Sequence, residues 1–158
     1  MKTCKKCRLW KGAKHTVFGE GPRDARVMLV GQNPGEEEDK TGRPFVGRAG
    51  KFLNKILEEN KIEREKLFIT NIVKHKTPGN RKLKNDEIAA CLPYFLEQIK
   101  MIKPKIIVLM GETARKTPRK RGIVYLETYH PAAAMRSGKM RKKFRDDFRS
   151  LKKLMIKI

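Results

Sequence analysis

The residues of this chain best suited to chemistry crowd into one early stretch. Gly31-Gln32-Asn33-Pro34-Gly35 runs directly into Glu36-Glu37-Glu38-Asp39 and then into Gly42-Arg43-Pro44-Phe45-Val46-Gly47. Amides and carboxylates in a glycine-rich turn can grip a polar ligand, hold a water or stabilise developing positive charge. Such acidity is unexpected in a chain with 39 Lys and Arg against 17 Asp and Glu, a net charge of +22. A few carboxylates kept inside a positive field point to a chemical use; the plainer alternative is acidity at a helix start, which the helix dipole favours by itself. Two further groups stand out: Asn71, whose amide offers a donor beside an acceptor, and His130, which precedes Pro131-Ala132. Three cysteines, Cys4, Cys7 and Cys91, cannot pair off completely, and Cys4-x-x-Cys7 in a reducing compartment reads better as metal ligation than as a disulfide.

The elements that must position these groups follow from hydrophobic patterning. Apolar runs at 26–31, 67–73, 105–110 and 123–128 predict four buried strands. Phe52, Leu53, Ile56 and Leu57 recur at helical spacing within 49–60; Asn85 or Asp86 can cap a helix running to about Met101; and a basic helix is expected from about Lys139. Pro78-Gly79-Asn80 marks a loop. Strands alternating with helices predict an α/β fold, a three-layer α/β/α sandwich around a central four-stranded parallel sheet. The carboxyl ends of such strands share one rim, which would gather Gln32, Asn33, Asn71, Gly111 and Tyr129-His130-Pro131. A length of 158 residues suits one domain, 1–158.

The charge imbalance favours a polyanionic partner, with nucleic acid ahead of a merely Lys-rich solvated surface. The densest basic runs, Arg115 to Arg121 and Arg136 to Lys143, flank the fourth strand and its exit. No run approaches the roughly 18 apolar residues of a membrane span, and the first residues carry no apolar signal region, so a cytoplasmic protein without membrane contact, acting as a monomer, is expected.

The chain resembles the uracil-DNA glycosylase superfamily, and within it the family 4 enzymes that carry an iron–sulfur cluster. The resemblance rests on Cys4-x-x-Cys7, Gly31-Gln32-Asn33-Pro34-Gly35, Glu38-Asp39, Gly42-x-Pro44-Phe45-Val46-Gly47-x-Ala49-Gly50, Asn71-Ile72-Val73-Lys74, Pro78-Gly79-Asn80-Arg81, Cys91 and His130-Pro131-Ala132, in that order. It implies a monofunctional glycosylase that hydrolyses the N-glycosidic bond of deoxyuridine in single- or double-stranded DNA, without lyase activity. By resemblance Phe45 stacks on the uracil, Asn71 reads its O4 and N3–H edge, and His130 hydrogen-bonds its O2; the alternatives are a core Phe and a turn Asn. Typical family 4 members carry Glu-Ala where this chain has Gln32-Asn33. An amide cannot act as a base, so Asn33 is expected to position water, Glu38 and Asp39 to stabilise the sugar cation or polarise that water, and the backbone amides of Gln32 and Asn33 to contact a uracil carbonyl or a phosphate. Arg81, Arg115, Arg119 and Arg121 are expected on phosphates, with Met135 or Arg136 filling the gap left by a flipped base.

The family's cluster is a 4Fe-4S group on four cysteines. Cys4, Cys7 and Cys91 match three of them and His75 stands at the fourth, with residues 1–24 as the cluster-binding segment. Three Cys with one His also suit zinc. The tetrapeptide His75-Lys76-Thr77-Pro78 also resembles the X-type branch, which crosslinks itself to uracil-DNA through a His. Cluster ligand and nucleophile are therefore two readings of His75. A glycosylase for another deaminated base, such as hypoxanthine, is the remaining alternative.

Overall fold

The computed structural model describes residues 4–158. Four strands, β1 (Val27–Gly31), β2 (Phe68–Asn71), β3 (Ile106–Met110) and β4 (Val124–Thr128), form one all-parallel sheet in the order β2-β1-β3-β4. β1 and β3 are buried along their whole length and read as unbroken apolar runs, as central strands covered on both faces must. Alternate residues feed two cores. Val27, Leu29, Ile106, Val108 and Met110 pack with Leu53, Ile56, Phe144, Phe148 and Leu151; Met28, Val30, Ile107 and Leu109 pack on the other face with Phe95, Ile99 and Ile102. The helices carrying those residues are α2 (Arg48–Glu59) and α6 (Gly138–Ile156) on the first face and α3 (Asn85–Ile102) on the second, which makes the three layers. Among the described residues no helix is long and apolar enough to cross a membrane.

Three short helices, α1 (Glu36–Thr41), α4 (Glu112–Arg115) and α5 (Pro131–Arg136), line the rim at the strands' carboxyl ends. They are too short to show a hydrophobic period, so patterning does not reveal them. β2 ends at Asn71, two residues before the apolar run does, because Ile72 and Val73 leave the strand while their N–H groups still donate to Gly31 and Gln32 carbonyls. α3 starts after Lys84 rather than with Asn85 or Asp86 as cap; the Glu87 carboxylate accepts the Lys84 N–H at 2.9 Å and satisfies the helix end from inside. The register pairs Gly31 with Asn71 and so sets the first turn beside the second strand's last residue.

Candidate active site

A cavity of about 370 Å³ opens at this rim. Gln32, Asn33, Glu38, Phe45, Asn71 and His130 all line it, although they come from four separate parts of the chain. Gly31 lies between Asn71 and Phe45. A Cβ built there would sit 2.5 Å from Asn71 Oδ1 and 2.5 Å from Phe45 Cζ, so the two side chains converge on a spot that only a missing side chain leaves free. Asn71 is 1% exposed and its Oδ1 has no hydrogen-bond partner. A buried acceptor left unpaired is costly and marks a place where a ligand donor belongs.

Phe45 is held in a left-handed backbone conformation, φ 49°, unfavourable for a bulky residue. Its surroundings compensate. Arg64 donates to the Phe45 carbonyl at 2.9 Å, to the Pro44 carbonyl at 2.8 Å and to Asn54 Oδ1 at 2.6 Å. Gly50 lets this backbone lie directly on α2, where a Cβ would stand 2.0 Å from the Phe45 oxygen. Glu38 ties the same segment to the glycine turn: one carboxylate oxygen accepts the Gly35 N–H at 2.9 Å, the other the Val46 and Gly47 N–H groups at 2.8 and 2.6 Å. Its carboxylate thus puts a fixed negative charge on the cavity wall, held in place by backbone amides.

His130 faces Phe45 across the cavity, ring centroids 5.7 Å apart. Its Nδ1 accepts the Ala132 N–H at 3.1 Å, the first-turn amide of α5. A neutral imidazole that accepts at Nδ1 carries its proton on Nε2. Burial, assisted by the nearby Arg136 charge, lowers the His130 pKa to about 4, so the ring is neutral near pH 7. The helix amide therefore selects a neutral donor.

The other expected residues divide. Asn33 donates to its neighbour's carbonyl, Pro34 O, at 3.1 Å, and Gln32 Oε1 accepts the Thr113 N–H at 3.4 Å, so both amides are braced at the wall. Asp39 lies outside the cavity: it is 1% exposed and its Oδ1 accepts the Lys14 and His15 N–H groups at 2.8 and 3.1 Å, anchoring the amino-terminal segment instead. Arg81 and Arg136 line the cavity and also a second, contiguous groove of about 670 Å³, with Lys82 and Lys116 over an apolar floor of Leu83, Ile88 and Leu92. Arg81 is itself pinned by Glu87 at 2.6 Å, and that ion pair holds the Glu87 carboxyl at about 2. Arg115, Arg119, Arg121 and Met135 line neither; Arg119 pairs with Glu127 at 2.5 Å.

Cys4, Cys7 and Cys91 are free thiols on one side of the sheet, close enough that each of the first two raises the pKa of the third. Burial is the larger cause of that upward shift; the nearby Lys74 backbone opposes it. Cys4 Sγ lies 3.2 Å from the Tyr94 hydroxyl. His75 is 2% exposed, lies outside the cavity and has Nε2 2.9 Å from Thr16 Oγ1, while its Nδ1 is buried and unpaired. Three free thiols and an orphaned imidazole nitrogen suit an iron–sulfur or zinc centre chemically. Yet among the described residues no three His, Cys, Asp or Glu side chains are gathered as a metal site.

Several contributors have roles that the sequence alone does not assign. Gly31, Gly50 and Arg64 act through Phe45 and Asn71, and Ala132 acts through its backbone N–H, which no residue type reveals. Thr77 and Asn80 line the cavity from the loop after β2, and Asn80 stands in the Pro-Gly-Asn-Arg segment already marked as a loop.

Comparison with known proteins identifies the family. Residues 18–152 match the Uracil DNA glycosylase superfamily. The chain is 43% identical to the type-4 uracil-DNA glycosylase of Sulfurisphaera tokodaii over 98% of its own length and 81% of the relative's. It is 39% identical to the type-4 enzyme of Pyrobaculum aerophilum over 93% of this chain and 87% of the relative, and 49% identical to that of Thermotoga maritima over 72% of this chain and 59% of the relative.

Proposed function

The chain belongs to the uracil DNA glycosylase superfamily, and on that premise we propose that it hydrolyses the N-glycosidic bond of deoxyuridine in DNA, releasing uracil and leaving an abasic site. The observation that carries this reading is the convergence of Asn71, Phe45 and His130 on one cavity. A base in a duplex stack must be flipped out to reach such a cavity, whereas a single strand presents it more readily. Asn71 Oδ1 then accepts from N3–H of uracil and its Nδ2 donates to O4. Cytosine fails on both counts, because its N3 accepts and its 4-position donates. Phe45 covers one face of the ring. His130 donates its Nε2 proton in a hydrogen bond to O2, where negative charge grows as the bond from N1 to C1′ breaks, and a neutral donor placed there stabilises the departing anion.

The sugar becomes cation-like as uracil leaves. Glu38 supplies fixed negative charge toward it, and Asn33 positions the water whose oxygen bonds to C1′. The water's proton passes to solvent and uracil is released after protonation, so no general base is required of Asn33. Among the described residues no lysine lines the cavity, in keeping with hydrolysis without Schiff-base chemistry. Arg81, Lys82, Lys116 and Arg136 border the contiguous groove and serve the phosphodiester backbone. Residues 1–158 act as one catalytic domain, with 1–24 as the segment that binds a 4Fe-4S cluster. Cys4, Cys7 and Cys91 would hold that cluster, with His75 Nδ1 as the available fourth donor. When bound, the cluster supplies a rigid tie between the amino-terminal segment and α3.

The test is chromatographic detection of the base set free from DNA containing a single deoxyuridine, alongside deoxyinosine DNA. Free uracil from the first substrate alone supports the reading. Hypoxanthine without uracil would replace it with a different base specificity, and a protein–DNA adduct surviving denaturation would replace it with crosslinking.

A further inference from the structure

Among the described residues Lys74 is the one lysine whose side chain is wholly buried. Just after β2 the chain bends so that its ammonium reaches back to the strand end. There Nζ donates to the Asn71 carbonyl at 2.5 Å, to Thr70 Oγ1 at 2.8 Å and to Gln98 Oε1 at 2.8 Å. All three ammonium hydrogens are used. The acceptors are themselves tied down: Thr70 Oγ1 and Gln98 Nε2 both donate to the Phe18 carbonyl at 2.6 Å. The Phe95 ring lies beneath, 6.0 Å from Nζ. Among the described residues Lys74 pairs with no carboxylate. Its backbone is also committed, since its carbonyl accepts the Val17 N–H at 2.7 Å.

An ammonium taken out of water without a carboxylate is costly, and an apolar chain of the same length would fill this space with no such cost. What the ammonium adds is a fixed position for the Asn71 peptide, whose side chain must meet an incoming base with its Oδ1 unpaired. We infer that Lys74 is a positioning residue for Asn71, joining the base-reading end of β2 to α3 through one side chain. This rests on the reading of Asn71 as the group that contacts uracil.

The experiment compares wild type with Lys74→Met, and with Gln98→Met as a second variant that removes one acceptor and leaves the lysine. Three quantities are read: single-turnover uracil release, the dissociation constant for free uracil, and the affinity for undamaged DNA of the same length. A displacement of Asn71 by about 1 Å predicts a loss of about 10²-fold in release and weaker binding of free uracil in Lys74→Met, with a smaller loss of both in Gln98→Met. Affinity for undamaged DNA and iron content per chain stay unchanged, which a general loosening of the fold would not permit. Wild-type release and uracil binding in a folded Lys74→Met protein overturn the inference. If Lys74→Met does not fold, Gln98→Met decides alone, and unchanged uracil binding in it overturns the inference equally. Failure of the wild-type protein to release or bind uracil would instead refute the proposed function on which the inference rests.

Discussion

A single added methyl group tests the pocket most sharply. Gly31→Ala removes no polar group and needs no unusual backbone, since Gly31 is not among the glycines with positive φ. Its Cβ would stand 2.5 Å from Asn71 Oδ1, 2.5 Å from Phe45 Cζ and 2.9 Å from Phe45 Cε2. Ordinary separations between carbon atoms are about 3.5–4.0 Å, so Asn71 and Phe45 must each move by about 1 Å. Overpacking of this size costs about 1–3 kcal/mol, which lowers the melting temperature of a chain of this length by roughly 2–12 °C. A shift of about 1 Å in a positioning group costs about 10²-fold in rate. The expected outcome is a folded, slightly less stable protein with a strongly reduced rate of uracil release. Gly138→Ala is the matched control, because nothing lies within 4 Å of a Cβ there. The assay is single-turnover release at saturating enzyme, beside thermal unfolding of both variants. A wild-type rate in Gly31→Ala would refute the convergence of Asn71 and Phe45 at this position, and unfolding at room temperature would assign Gly31 to the fold rather than to the pocket.

Two other outcomes are expected. The folded-state pKa of His130 is lowered from 6.5 to about 4, so on acidification the unfolded chain takes up this proton first and stability falls between about pH 6.5 and pH 4; from this group the loss between pH 7.5 and pH 5 is about 2 kcal/mol, measured as the difference in urea unfolding between wild type and His130→Asn, and an equal slope in both would contradict the neutral ring. His75→Cys is expected to retain at least as much iron per chain as wild type after purification, measured by elemental analysis, whereas loss of iron would remove position 75 from the ligand set.

The sheet was legible because its central strands are unbroken apolar runs ending in residues of distinctive type. The parallel order then brings Gln32, Asn71 and His130 to one rim without further information. What patterning could not reveal depends on contacts between distant residues. Asp39 reads like Glu38 in sequence, since both follow the glycine turn. Only the fold turns one carboxylate to the Phe45 segment and the other to the Lys14 and His15 amides. Arg64 is one basic residue among 39 Lys and Arg, and nothing in its neighbours along the chain marks it as the brace for Phe45. Arg119 sits in the densest basic run but spends its charge on Glu127. The tautomer of His130 is set by a backbone amide, which composition cannot express.

The proposed function places uracil excision in this cavity, with Asn71 as the group that reads the base. The most direct test is a single-turnover reaction on end-labelled DNA bearing one deoxyuridine, run on a denaturing gel with and without alkali, for wild type and Asn71→Asp. On that reading wild type gives alkali-dependent scission at the uracil, and Asn71→Asp a sharp reduction at similar melting temperature. Equal scission by both proteins, or an intact strand with wild type, would contradict it.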